Sequence, residues 1–211
     1  MTGWYARSAA GLAAFARAML CIWIAGASAG CLKTVSYVDS ITPAATYGDL
    51  TRPAARVPVR LTVDWQCEGV HWTVQSRERK EFLSDVLLRS GVASPTSDAS
   101  PGRIPEIHVV INNVPGTERP DDGSPKATGF TLGVVGCAAH DAYLLTGVLR
   151  LPGKSEVTRS YKGEIITTIG RKAAPEGLAP IDTGKAVDAV VERLFLCFLR
   201  DLQREGLLPA K

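Results

Sequence analysis

The chain carries two hydrophobic rhythms. In VPVRLTVDW, residues 57–65, Val57, Val59, Leu61, Val63 and Trp65 alternate with Pro58, Arg60, Thr62 and Asp64. Successive side chains of an extended strand point to opposite faces, so this is a half-buried strand. In RERKEFLSDVLLRSG, residues 77–91, Phe82, Leu83, Val86 and Leu87 fall on one helical stripe. Gly91 then stands where a helix ends in the left-handed conformation. EIHVVINNV, 106–114, alternates again, with Ile107, Val109 and Ile111 set against His108, Val110 and Asn112; His108 is expected to face solvent. AYLLTGVLRL and EVTRSYKGEIITTI flank Pro152-Gly153-Lys154, a hairpin signal in which Gly supplies the unusual φ of a tight turn. A last helix is predicted over 182–205. Asp182 is its N-cap, Gly206 lies just past its end, and Val187, Val190, Val191, Leu194, Phe195, Phe198 and Leu202 form its apolar stripe.

The loops are equally legible. Residues 94–105 are rich in Ser, Pro, Asp and Gly, and PGTERPDDGSPKATG, 115–129, is polar and full of breakers. FTLGVVGC, 130–137, is short and apolar, either a strand or a surface-seeking segment. The order is β-α-β-β-β-β-α, which defines an α+β fold. Its mixed, mostly antiparallel sheet is covered on one face by two helices, since each helix has one stripe to bury. Residues 57–211 suffice for a single domain of about 155 residues. Neither an internal repeat nor a low-complexity tract interrupts it.

The N-terminal residues follow another logic. Arg7 and Arg17, without an acidic residue, precede the apolar run AMLCIWIAGA and then SAGC, the three zones of an export signal over residues 1–30. The apolar core is about ten residues, against roughly 20 for a membrane-spanning helix. SAGC resembles the lipobox of bacterial lipoproteins. Ala29 and Gly30 are the small residues of that pattern and Cys31 the lipid acceptor, while Ser28 stands where an aliphatic residue is usual. Ala27-Ser28-Ala29 is also an A-x-A site for ordinary signal peptidase. Cleavage there leaves Gly30 first and gives a soluble periplasmic or secreted protein, disulfide-bonded or metal-binding, or an enzyme. The lipoprotein reading is preferred because the cysteine falls where the small residues end. Residues 31–56, with SITPAATYGDLTRPAARVP, have tether composition, and flexible chain of about 25 residues spans roughly 25–30 Å. The competing reading makes TVSYV, 34–38, an edge strand. Leu32 after the cysteine implies, by the sorting preference of such lipoproteins, an outer-membrane anchor with the domain facing the periplasm. The element order behind the lipid cysteine, over 57–205, resembles that of the lipopolysaccharide-assembly lipoproteins and other small periplasmic α+β lipoproteins. The resemblance implies a role in envelope assembly or transport alongside a protein partner.

Charge and chemistry narrow the picture by exclusion. The formal charge is +3, and removing the two signal arginines leaves +1; with no basic cluster, nucleic acid is not an expected partner. Gly26-Ala27-Ser28-Ala29-Gly30 matches a nucleophile elbow but lies inside the signal. Gly153-Lys154-Ser155 ends like a phosphate loop, yet Val148 stands where that loop needs glycine and a strand follows. Cys197, mid-helix in RLFLCFLR, reads as a buried apolar residue. Cys67 and Cys137, near strand ends, are the disulfide candidates in an oxidising compartment. Their neighbours His71 and His140 offer an alternative Cys67, His71, Cys137, His140 zinc set, at spacings that match no standard pattern. His140-Asp141 is an adjacent acid–base pair, but strand neighbours point apart. No catalytic residue, metal or cofactor is assigned. Contacts are expected from Phe130, Leu132, Val134 and Val135 and the 115–126 loop, since Gly129, Gly133 and Gly136 leave that apolar segment little bulk. As core, the same glycines would mark close backbone approach. The reading is a non-enzymatic, lipid-anchored binding protein.

Overall fold

The computed structural model describes residues 34–96, 102–116 and 136–209. In chain order the strands are β1 (Thr34–Val38), β2 (Val57–Cys67), β3 (Val70–His71), β4 (Ala93–Pro95), β5 (Glu106–Val114), β6 (Cys137–Arg150) and β7 (Val157–Ile169). The helices are α1 (Thr73–Ser90) and α2 (Thr183–Arg204). The strands form one seven-stranded open sheet in the order β1-β7-β6-β5-β2-β3, with β4 paired to the start of β2. Pairing is antiparallel except between β2 and β5 and between β2 and β4. The parallel β2–β5 pair requires a crossover, and α1 supplies it. This is the α+β architecture expected from the pattern.

Paired residues of neighbouring strands share a face. Trp65, Ile111 and Leu145 are in register, as are Leu61, Ile107 and Leu149. All six are buried in the main core with Leu83 and Leu87 of α1 and Leu194, Phe195 and Phe198 of α2. A methyl group on Gly147 would lie 2.7 Å from the Phe198 ring, so the missing side chain lets α2 rest against β6. The helix ends are as the sequence predicts. Asp182 accepts from the amides of Gly184 and Lys185 at 3.0 and 3.3 Å, and Gly91 takes φ 73° at the end of α1. Gly153 has φ 73° in the β6–β7 hairpin. Helix α1 starts before its apolar stripe because Ser76 Oγ donates to Trp72 O and accepts from Trp65 N, both at 2.8 Å.

The tether expected over 31–56 is corrected from Thr34 onward. β1 pairs along β7 from Thr34↔Ile169 to Val38↔Ile165, which is the edge-strand alternative. Residues 39–51 then cross the outer side of α2. Ala45 and Leu50 enter the core, Tyr47 hydrogen-bonds Glu192 and lies under the Arg89 guanidinium, and Gln203 clasps Thr51. This cover explains why Leu196, Cys197 and Leu199, off the predicted stripe, are as buried as the residues on it.

A second, smaller apolar cluster lies on the sheet face away from the helices. Tyr37, Ala138 and Ile166 form it, with Val35 and Leu178 packed against them. The register accounts for it, since Tyr37 pairs with Ile166 and Ile166 with His140.

Candidate functional site

Beside that second cluster the sheet buries three ionisable side chains. On β6 and β7, His140 pairs with Ile166 and Ala142 with Glu164, so His140 and Glu164 are diagonal neighbours on one face. Nδ1 of His140 lies 2.6 Å from Oε1 of Glu164. Asp39 follows directly on β1, and its amide donates to the Glu164 carbonyl at 2.9 Å, carrying the pairing one step further. His140, Glu164 and Asp39 are 4 %, 3 % and 7 % exposed. One donor atom from each lies within 4.8 Å of the others.

The surroundings hold these groups in place. The Glu164 amide donates to Thr42 Oγ1 at 3.1 Å, and Ile41 N and Ser40 Oγ donate to Asp39 Oδ1 at 3.1 and 3.2 Å. Lys162 Nζ stands 3.9 Å from Glu164 Oε2 on a mostly exposed side chain. Asp39, Ser40 and Thr42 also line a cleft of about 440 Å³, closed on its other sides by residues 177–181 and by Ala189 and Arg193 of α2. An imidazole beside two carboxylates is a set of groups that can share a proton or hold a cation.

The residues singled out from sequence do not converge. Cys67 ends β2 beside Asn113, which pairs with Tyr143. Cys137 starts β6, six residues from Tyr143 along the strand. Two strand spacings and six residues separate the cysteines by about 20 Å, whereas a disulfide needs Cα atoms within about 7 Å. Cys67, Cys137 and Cys197 are free thiols. The same separation breaks up the Cys67, His71, Cys137, His140 zinc set. His71 instead pairs with Asp64 near the sheet edge. Burial raises the Asp64 pKa, but hydrogen bonds from His71 and Gln66 outweigh it and leave the carboxyl below its ordinary range. His108 is half-buried, 2.9 Å from Thr62 Oγ1. Asp141 turns to the helix side and accepts from Gly116 N at 3.2 Å, so His140 and Asp141 point apart as neighbours on a strand must.

Gly136 bears out close backbone approach at one position. A Cβ there would lie 2.0 Å from Lys172 N. Cys31, Phe130, Leu132, Val134, Val135 and the loop beyond Gly116 lie outside the described residues. Cys197 is buried as expected, and burial raises its thiol pKa. Sequence reasoning named His140 but set it with Cys67, His71, Cys137 and Asp141, and it missed the true partners Glu164 and Asp39 altogether. The signal lay in GEIITT, residues 163–168, every one of which is buried. A continuous run without alternation is a strand covered on both faces, and a glutamate inside such a run must be paired.

No protein-family profile and no curated protein matches the chain. Among solved structures, the chain is similar to the rare lipoprotein B from Shewanella oneidensis at 12 % identity and TM-score 0.35, over 71 % of this chain and 92 % of that one. It is also similar to a putative neuraminyllactose-binding hemagglutinin homolog from Helicobacter pylori at 10 % identity and TM-score 0.40, over 72 % and 84 %. Likeness at this level carries no functional residue across.

Proposed function

We propose that this chain is a lipid-anchored envelope lipoprotein, attached through Cys31 to the outer membrane and facing the periplasm, and that it acts by binding rather than by catalysis. The observation that supports it most directly is the position of SAGC, at the end of an export-type apolar run and three residues before Thr34 opens the edge strand. Three residues of chain reach at most about 11 Å. A diacylglyceryl group on Cys31 would therefore hold the β1 edge of the domain close to the bilayer, where a 25-residue tether would let it roam. Among the described residues no helix is long and apolar enough to cross a membrane.

The test is the N-terminal mass and membrane partitioning of the full chain made in a bacterial host, wild type beside Cys31→Ser. The expected result is a lipid-modified mature end at Cys31, with partitioning lost in the variant. An unmodified end at Gly30 in the soluble fraction would overturn the proposal.

A further inference from the structure

We infer that Asp39, His140 and Glu164 form a binding site for a divalent transition-metal cation of the zinc class. This site is independent of the lipid anchor and distinct from the cysteine–histidine set that the sequence suggested. It rests on donor chemistry and convergence.

An imidazole and two carboxylates are the donor types zinc accepts alongside thiolate. They converge from three separate segments: His140 from β6, Glu164 from β7, and Asp39 from the residue that follows β1. One donor from each lies within 4.8 Å of the others. An ion about 2.1 Å from each donor needs donors no more than about 4.2 Å apart, so the widest pair has less than 1 Å to close. The backbone beneath is already fixed, through the Asp39 amide on the Glu164 carbonyl at 2.9 Å and the Glu164 amide on Thr42 Oγ1 at 3.1 Å. Most of the ordering that a metal would otherwise impose has thus been done by folding.

Burial points the same way. His140, Glu164 and Asp39 are all more than nine-tenths buried, and ionisable groups at that depth are held by partners or coordinate a metal. Three protein ligands of these types leave the fourth position of a tetrahedral zinc site for water.

The experiment uses the full chain in detergent without a polyhistidine tag, stripped with a chelator, and titrates it with Zn²⁺ by calorimetry. One ion per chain is expected, with a rise in Tm of about 5–10 °C when free zinc exceeds the Kd about 100-fold. Asp39→Asn and Glu164→Gln keep shape and hydrogen-bonding capacity and are expected to fold, with zinc affinity reduced 100-fold or more in each. His71→Ala, at the other histidine–carboxylate pair, is expected to bind zinc as the wild type does. Absence of stoichiometric binding tighter than about 10 μM would overturn the site. So would affinity within threefold of wild type in both Asp39→Asn and Glu164→Gln, or loss of binding in His71→Ala alone. If either isosteric variant is more stable than wild type while zinc leaves wild-type Tm unchanged, the cluster holds a shared proton and no metal.

Discussion

Gln203→Ala tests whether residues 39–51 belong to the domain or merely trail from it. The Gln203 side chain closes a clasp on the crossing segment. Its Oε1 accepts from Thr51 N at 3.0 Å, and its Nε2 donates to Thr51 O at 2.6 Å and to Pro209 O at 2.9 Å. Alanine removes all three bonds; Gln203 is buried but Thr51 is exposed, so the freed Thr51 amide and carbonyl can turn to water. A typical internal hydrogen bond contributes about 1 kcal/mol net. The three are not independent, because water admitted by the smaller side chain can satisfy part of them. The expected loss is therefore about 1–2 kcal/mol, read as a lower urea midpoint at unchanged m. In a domain of this size it is also a drop in Tm of about 2–8 °C. Hydrogen exchange gives the residue-level readout: the Thr51 amide is protected in the wild type and loses protection in the variant. A loss below 0.5 kcal/mol, or a Thr51 amide exchanging at the free-peptide rate in the wild type, would refute the clasp and restore the tether.

Two further perturbations probe other parts of the fold. Asp64 has its pKa held below the ordinary carboxylate range by His71 and Gln66 despite its burial. Its stabilising contribution is then complete above the unfolded aspartate pKa of about 4 and is lost as pH falls through the lower folded value. Urea denaturation between pH 2 and 7 should show Asp64→Asn with a shallower acid-side fall in stability than wild type, and an identical slope would remove the His71–Asp64 pair as its cause. Burial raises the Cys197 pKa, so in the native protein this thiol should react with a maleimide far more slowly than half-buried Cys67; equal rates, mapped by mass spectrometry, would place Cys197 at the surface.

Elements that bury one face were legible because a single periodicity governs them. Strands β2 and β5 and the α2 stripe follow directly from alternation at two and at 3.6 residues, and the caps at Asp182 and Gly91 follow from local hydrogen bonding and φ. Where a segment is covered twice, periodicity disappears and composition alone misleads. LFLC in α2 is apolar all round because residues 45–51 cover its outer side, so the same fact that blurred the helix also disguised its cover as a tether. Small and hydroxyl residues such as Thr42 and Ala45 look like linker in isolation, yet Thr42 supplies the oxygen that accepts from Glu164 N. The polar cluster was hidden for the same reason. His140 was weighed against Asp141, its neighbour in sequence, whereas its partner is Glu164, reached only through the β6–β7 register. Register is set by the hairpin at Gly153, legible in the sequence, and from it the His140–Glu164 diagonal can be counted. Asp39 cannot be reached that way, because its place depends on β1 returning to β7 across more than a hundred residues of chain. The disulfide expectation failed on the same ground: Cys67 and Cys137 are both near strand ends, but nothing local says that those ends lie apart in the sheet.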